Sequence, residues 1–258
     1  MNLCFNKNYN LLVDRPFVNQ TVNFYSSDDQ KTFKLNCKKL KNKDWQYHTE
    51  TIEYKFNSLG HRTKEIESLD KDFLLTFGCS YTEGVGLNVE DTWASMLATN
   101  LKLDLYNCAK QSTSPEAQYI NALLWKRNNL PKPKLVVCQW PQIGRKMFGF
   151  TKQDDIEIAD MSETKTHDGR WWERRYIVDN GERDKSVIQQ IEGFNLVWES
   201  LGVPVINFSW EPIEIPLFTK IHEISPNTGN HEARDREHDG VNFHIETQKY
   251  LQTLCFSN

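Results

Sequence analysis

Phe73-Leu-Leu-Thr-Phe-Gly-Cys-Ser-Tyr-Thr-Glu-Gly84 is the stretch on which the reading of this sequence turns. Phe73 to Phe77 is an apolar run with the length of a buried strand. The run breaks at Gly78, offers a hydroxyl at Ser80 and meets a second glycine at Gly84. Beyond it, a helical pattern sets Trp93, Met96, Leu97 and Leu101 on one face. A serine on a turn between a buried strand and a helix sits at the carboxyl edge of a sheet, where open α/β sheets place their ligands. Such a turn also leaves backbone N–H groups free near the hydroxyl, where they favour a developing oxyanion.

A late stretch supplies what a serine lacks. Ala233-Arg-Asp-Arg-Glu-His-Asp-Gly-Val-Asn-Phe-His244 holds Asp235 and His238 in the spacing Asp-x-x-His, ahead of a helical pattern through Ile245, Tyr250, Leu251 and Leu254. A serine needs a base to take its proton, and the base needs a carboxylate to orient it. One short segment offers both. Asp239 and His244 form an alternative pair whose spacing sets them less naturally on one loop. A metal site from His231, Asp235 and His238 lacks further convergent ligands, so neither a metal nor a cofactor is expected.

Together these two blocks resemble the SGNH (GDSL-type) hydrolase family over roughly residues 70 to 254. In that family the nucleophile follows the first strand in a Gly-Asp-Ser block, and a late Asp-x-x-His block supplies acid and base. The resemblance implies that Ser80 is the nucleophile, His238 the base and Asp235 its orienter. It also implies three oxyanion donors, of which the Ser80 N–H is the first. The second is a glycine N–H in the family; aligned from Asn107, that position falls on Ser112. The third is an asparagine amide in a Gly-x-Asn-Asp block. Trp140-Pro-Gln-Ile-Gly-Arg145 has no asparagine, so the Gln142 amide is expected in its place, with the Trp140 indole N–H as the other choice. The implied activity is ester hydrolysis through an acyl-enzyme. Family substrates include acetylated polysaccharides, short acyl esters and lysophospholipids.

Working outward, Leu103–Asn107 reads as a second strand, and Ser114-Pro115-Glu116 as a helix start with proline in the first turn. Leu135–Trp140 is a third, β-branched strand. Val187, Ile191, Phe194 and Trp198 share a helix face that Gly202 ends, and Val203–Phe208 is a fourth strand. A helix, a glycine and a strand in that order suit a right-handed crossover. The expected fold is therefore α/β: a three-layer, flavodoxin-like and SGNH-like arrangement with a mainly parallel sheet of four or five strands between helices. Residues 71–258 would form this domain, and residues 1–70 an irregular segment packed on it. Residues 146–186 exceed a connecting loop and read as an insertion over the carboxyl edge. Its Trp171 and Trp172, with Trp140 and Arg145, are the expected substrate contacts, since aromatic faces stack on sugars and arginines bind anions. These residues favour a carbohydrate O-acyl ester. A glycan- or protein-binding module without catalysis, and an O-acyltransferase with the same triad, are the alternatives.

The segment nearest the serine block carries Tyr54-x-x-Asn57-x-x-Gly60-x-Arg62, after an alternating Ile52–Phe56. It resembles the lead-in of some SGNH-like proteins and would set Arg62 at the site rim. Across 258 residues, 38% are hydrophobic and 26% charged, with a net charge of −4. That balance gives no basic stripe for nucleic acid, and no run approaches a membrane span. The N-terminus lacks the apolar core of a secretory signal, so a cytoplasmic location is expected. Six cysteines match no zinc spacing. Cys79, Cys108 and Cys138 fall near the ends of three strands and read as small buried residues.

Overall fold

A computed structural model describes residues 3–5, 11–41, 43–143, 145, 147–152, 155–160, 180–210, 212–224, 233–236 and 238–256. The chain opens with β1 (Leu3–Phe5), β2 (Val13–Asp14), β3 (Thr21–Val22), α1 (Gln30–Leu40) and β4 (Tyr54–Lys55). Then come β5 (Phe73–Phe77), the one-turn helix α2 (Ser80–Glu83), α3 (Trp93–Leu101), β6 (Asp104–Asn107), α4 (Pro115–Arg127) and β7 (Leu135–Gln139). A hairpin of β8 (Met147–Lys152) and β9 (Asp155–Asp160) follows. The last elements are α5 (Asn180–Ser200), β10 (Val205–Ser209), β11 (His222–Glu223) and α6 (Val241–Phe256).

The central sheet has five strands in the order β11-β10-β7-β5-β6, and every neighbouring pair is parallel. In chain order its strands lie 2-1-3-4-5, the flavodoxin-like winding. The chain steps from β5 to β6 on one side, then crosses back to β7 on the other. The reversal leaves a crevice at the carboxyl ends of β5 and β7, where Ser80 follows β5.

Burial on both faces explains why Phe73–Phe77 does not alternate. Phe73, Leu75 and Phe77 pack with Trp125 of α4 and with Phe194 and Trp198 of α5. Leu74 points the other way, to a cluster with Trp93 and Leu97 of α3 and Leu251 of α6. The expected helix face Val187, Ile191, Phe194 and Trp198 is wholly buried. Each large apolar side chain so buried contributes roughly 1.5–3 kcal/mol. Thr92 caps α3 through its side chain, and Pro115 stands in the first turn of α4 as expected.

Two regions differ from the sequence reading. The N-terminal segment is more ordered than an irregular appendage. β3 and β4 pair antiparallel, and Ile52, Tyr54 and Phe56 turn inward to a cluster with Tyr25, Tyr47 and Val85. Val85 lies just past the serine turn, so this segment packs directly on the candidate site. The stretch read as an insertion opens with the β8–β9 hairpin, and β9 pairs with β1, giving a second, antiparallel sheet β2-β1-β9-β8. Trp171 and Trp172 lie outside the described residues. Among the described residues, no helix is long and apolar enough to cross a membrane.

Candidate active site

Ser80 is the first residue of α2, reached through Gly78 and Cys79 from the end of β5. Its carbonyl accepts from Gly84 N–H at 2.8 Å and Val85 N–H at 3.0 Å, and Gly84, at φ 82°, closes the turn in a left-handed conformation that suits glycine. Among the described residues, the Ser80 N–H has no hydrogen-bond partner, and neither does its hydroxyl. The turn is held from below by Gln139, the last residue of β7. Its Oε1 accepts from Cys79 N–H at 3.0 Å and from the Thr82 hydroxyl at 3.2 Å, and its Nε2 donates to Trp140 O at 2.7 Å.

The loop after β6 is tied to the same turn. Gly78 O accepts from Lys110 N–H at 3.1 Å and from the Thr113 hydroxyl at 3.0 Å. Asn107 Nδ2 donates to Thr82 O at 2.8 Å. Ser112 adopts φ 53° and presents a backbone N–H without a partner among the described residues. That left-handed conformation is what a glycine supplies freely; for serine it costs about 1–2 kcal/mol. The neighbouring bonds fix the loop in spite of that cost.

A buried ionic knot makes the fixing possible. Glu83, on α2, accepts from Gln111 N–H at 2.6 Å, from Lys110 Nζ at 2.8 Å and from the Tyr25 hydroxyl at 3.0 Å. Lys110 Nζ also donates to Gly60 O at 2.9 Å. It lies 3.1 Å from Asp14 Oδ2, yet that oxygen takes no well-directed hydrogen bond, so the contact is coulombic. Three aromatic rings surround the ammonium, with Phe56, Tyr25 and Phe17 centred 4.6, 4.9 and 5.5 Å from Nζ. Burial, followed by the charges of Glu83 and Asp14, pushes the Tyr25 phenol far up, which keeps it a neutral donor to Glu83.

Opposite stands the Asp-x-x-His loop. Asp235 Oδ2 lies 2.6 Å from His238 Nδ1, and Asp235 Oδ1 accepts the His238 backbone N–H at 3.2 Å. A carboxylate on Nδ1 favours the tautomer with its proton there, which turns Nε2 toward other partners. Burial would raise the Asp235 carboxyl, but the bond to and charge of His238, the Ser27 hydroxyl and the His238 backbone N–H together hold it below its ordinary value. The loop docks beside the serine turn: Arg234 N–H donates to Gly86 O at 2.9 Å. Gly86 has φ 81°, and a Cβ there would sit 3.0 Å from Asp235 Oδ1, so the approach depends on glycine twice over. Tyr81, next to Ser80, meets the His238 ring edge-on with centroids 4.8 Å apart. It continues into an aromatic wall with Trp210, at 4.5 Å, and Phe243. Burial, then the charges of Asp239, Cys79 and Asp235, push the Tyr81 phenol up to about 12.

Ser80, Ser112, Asp235 and His238 therefore come from three loops joined by direct bonds. Other expected residues fall elsewhere. Trp140 is a core residue, 1% exposed, with its ring on Phe194 and its indole N–H 3.0 Å from Asn207 Oδ1. It has no face to offer a substrate and no free N–H for an oxyanion. Gln142 is exposed, and its carbonyl accepts from Arg145 N–H at 3.1 Å. Arg145 is half-buried; its Nε and Nη1 are shielded from solvent and have no partner among the described residues. Arg62, expected at the rim, is buried beneath α2. It donates to Gly84 O at 2.6 Å and Leu87 O at 2.9 Å, satisfying carbonyls at the helix end. His244 is also buried, its Nδ1 accepting from Trp93 N–H at 3.0 Å. This is the packing role that fixes α6 against α3. The supporting roles of Gln139 and Asn107 are not among the sequence expectations; their signal is a polar residue closing an otherwise apolar strand, which must find partners once buried. Cys79, Cys108 and Cys138 are buried and free, and burial first, then each other's proximity, push the Cys138 thiol up. Among the described residues no cluster of metal ligands occurs.

No protein-family model matches the chain, and no curated protein matches it. Solved structures are similar to it over most of its length. An acetyl xylan esterase, Est2A, from the rumen bacterium Butyrivibrio proteoclasticus is 12% identical over 72% of this chain and 63% of that one, with a TM-score of 0.44. This chain thus spans less than two thirds of that esterase. TesA is 12% identical over 72% of this chain and 98% of its own, with a TM-score of 0.40. A carbohydrate esterase is 10% identical over 73% and 69%, with a TM-score of 0.37. Likenesses this distant leave the assignment to the site itself.

Proposed function

We propose that the protein is a serine esterase of SGNH type, with Ser80 as nucleophile, His238 as base and Asp235 as its orienter. The observation that carries this reading is the buried Asp235–His238 pair at 2.6 Å, docked by the Arg234–Gly86 bond against the turn that presents Ser80. His238 Nε2 takes the Ser80 proton as Oγ attacks the ester carbonyl. The N–H groups of Ser80 and Ser112 receive the negative charge of the tetrahedral intermediate. His238 then gives its proton to the departing alcohol, and an acyl-Ser80 remains. Water, deprotonated by the same imidazole, attacks that ester, releases the carboxylic acid and restores Ser80. An oxyanion donor is worth roughly 2.7–4 kcal/mol of barrier. With Trp140 engaged and Gln139 turned to the Cys79 N–H, the site works with two backbone donors unless Gln142 moves in.

The ester we favour is an O-acyl group on a carbohydrate. The half-buried Tyr81 and Trp210 rings, tilted 59° to each other, set aromatic surface beside His238, and the sequence carries two further tryptophans, Trp171 and Trp172. A panel of acetylated oligosaccharides and p-nitrophenyl acyl esters, assayed with the native chain and Ser80→Ala, tests both halves. Acetate release from the oligosaccharides, lost in Ser80→Ala, is expected. Turnover of acyl esters alone would retain the esterase and overturn the carbohydrate. The absence of any turnover, with calorimetric binding of a glycan, would favour the binding module. The open hydrogen bond between Ser80 and His238 is the feature that speaks for that second reading, although such bonds are often long before substrate arrives.

A further inference from the structure

The turn Tyr25-Ser26-Ser27-Asp28 stands between the loops that complete the site. It is closed by paired backbone bonds, Tyr25 N–H to Asp28 O at 2.9 Å and Asp28 N–H to Tyr25 O at 3.1 Å. Ser26, at φ 61°, makes the left-handed step that a tight two-residue hairpin needs at its first central position. Each of the four side chains then reaches a different part of the site. The Tyr25 hydroxyl donates to Glu83 on α2 at 3.0 Å. The Ser26 hydroxyl meets the side-chain carbonyl of Gln111, the neighbour of Ser112. The Ser27 hydroxyl donates to Asp235 Oδ2 at 2.7 Å. Asp28 holds Arg234 through both carboxylate oxygens, with Nε at 2.8 and 3.0 Å and Nη2 at 2.5 Å.

The oxygen that Ser27 contacts is the one that faces His238 Nδ1. His238 bonds both carboxylate oxygens, but its backbone N–H is at 3.2 Å; Ser27 adds a close donor from outside that loop, on the second lone pair of Oδ2. Two donors on one oxygen, with the His238 backbone N–H on the other, fix the plane of the carboxylate. That plane sets the direction in which the imidazole is held, and so where Nε2 points.

We infer that the Tyr25–Asp28 turn is a positioning element of the site, in which Ser27 orients the Asp235 carboxylate and through it the His238 ring. Its bearing on catalysis rests on the triad reading above. A hydrogen bond to a charged group is worth roughly ten- to a hundredfold in an equilibrium or a rate. A turn that merely packs the N-terminal segment on the sheet would affect stability and leave turnover per folded molecule alone.

The test compares the native chain with Ser27→Ala and Ser27→Thr. Two quantities are read: ester turnover, and the low-field proton resonance of His238 Nδ1–H, assigned by its loss in His238→Ala. Ser27→Ala is expected to fold, to lower kcat about tenfold with KM unchanged, and to move or broaden the resonance. Ser27→Thr, which keeps the hydroxyl, restores both. An unmoved resonance with native kcat in folded Ser27→Ala overturns the inference while the triad stands. If the native chain turns over no ester, the triad reading fails and the resonance alone decides. It then moves in Ser27→Ala if Ser27 orients the pair, and stays in place if it does not.

Discussion

The central sheet and the N-terminal wrap around it share apolar burial but differ in how much buried charge and directed hydrogen bonding holds them. Around β5 and β7, stabilisation comes from apolar side chains on both faces, with Phe73, Leu75 and Phe77 toward α4 and α5 and Leu74 toward α3 and α6. The N-terminal wrap also buries apolar groups, Leu11 and Leu12 in the main core and Phe56 beside Val85, but it adds a set of buried charges and hydrogen bonds to the rest of the chain: Asp14 to Lys110, Asp28 to Arg234, Ser27 to Asp235 and Arg62 to the carbonyls behind α2. The sheet supplies the edge, and the wrap sets the angles of the loops on that edge. A scaffold held only by non-directional burial would leave those loops freer to turn.

The largest effect on stability should separate the two regions. Lys110→Met leaves Glu83 and Asp14 buried without their cation. The expected loss is about 3–5 kcal/mol, as when one partner of a buried pair is removed. Leu75→Ala, in the sheet, should cost about 2–5 kcal/mol through cavity formation. Denaturant unfolding measures both. If Lys110→Met is neutral while Leu75→Ala is costly, apolar packing alone holds the wrap and the comparison collapses.

Acid gives the next effect, with one buried histidine in each region. His61 bridges Leu12 O and the Tyr106 hydroxyl, while His244 accepts from Trp93 N–H. Burial first, then the charge of Lys110 for His61 and of His238 for His244, depresses each to about 3 from 6.5. Because the unfolded chain binds these protons first, the stability they contribute is complete above pH 6.5 and declines as pH falls toward 3. The decline between pH 7 and pH 5 should be on the order of 2 kcal/mol per histidine. His61→Asn should remove the share of the wrap, which shows as a shallower pH dependence of the denaturant midpoint. An unchanged slope would mean that His61 binds its proton as readily in the fold as in the unfolded chain.

A smaller effect sharpens the comparison at Ser112. Ser112→Gly relieves a left-handed serine and should stabilise the chain by about 1 kcal/mol, with the N–H donor retained. A rise in Tm with activity preserved is expected. A fall would show that the serine side chain itself holds the loop.

The same contrast explains what was legible in the sequence. Phe73–Phe77 and Leu135–Trp140 read as strands because burial on both faces leaves a local apolar run, and Asp235 and His238 read as a pair because only two residues separate them. The wrap left no such trace. Ser27 lies 208 residues from Asp235, and Asp28 lies 206 from Arg234. No local period records a bond across that distance. Arg62 is expected at the rim from the resemblance of its lead-in; instead it is buried, and the carbonyls of Gly84 and Leu87 give it partners that water would otherwise supply. Trp140 is expected to meet substrate because an aromatic face can stack on a sugar, yet Asn207 on the neighbouring β10 satisfies its indole inside the core.

The most direct measurement is covalent labelling with a fluorophosphonate, which reacts with an activated serine. The native chain, Ser80→Ala and His238→Ala are compared, each shown to be folded. The account predicts a single adduct on Ser80 in the native chain and none in either variant. A folded native chain that stays unlabelled, or a label that persists in Ser80→Ala, would contradict it.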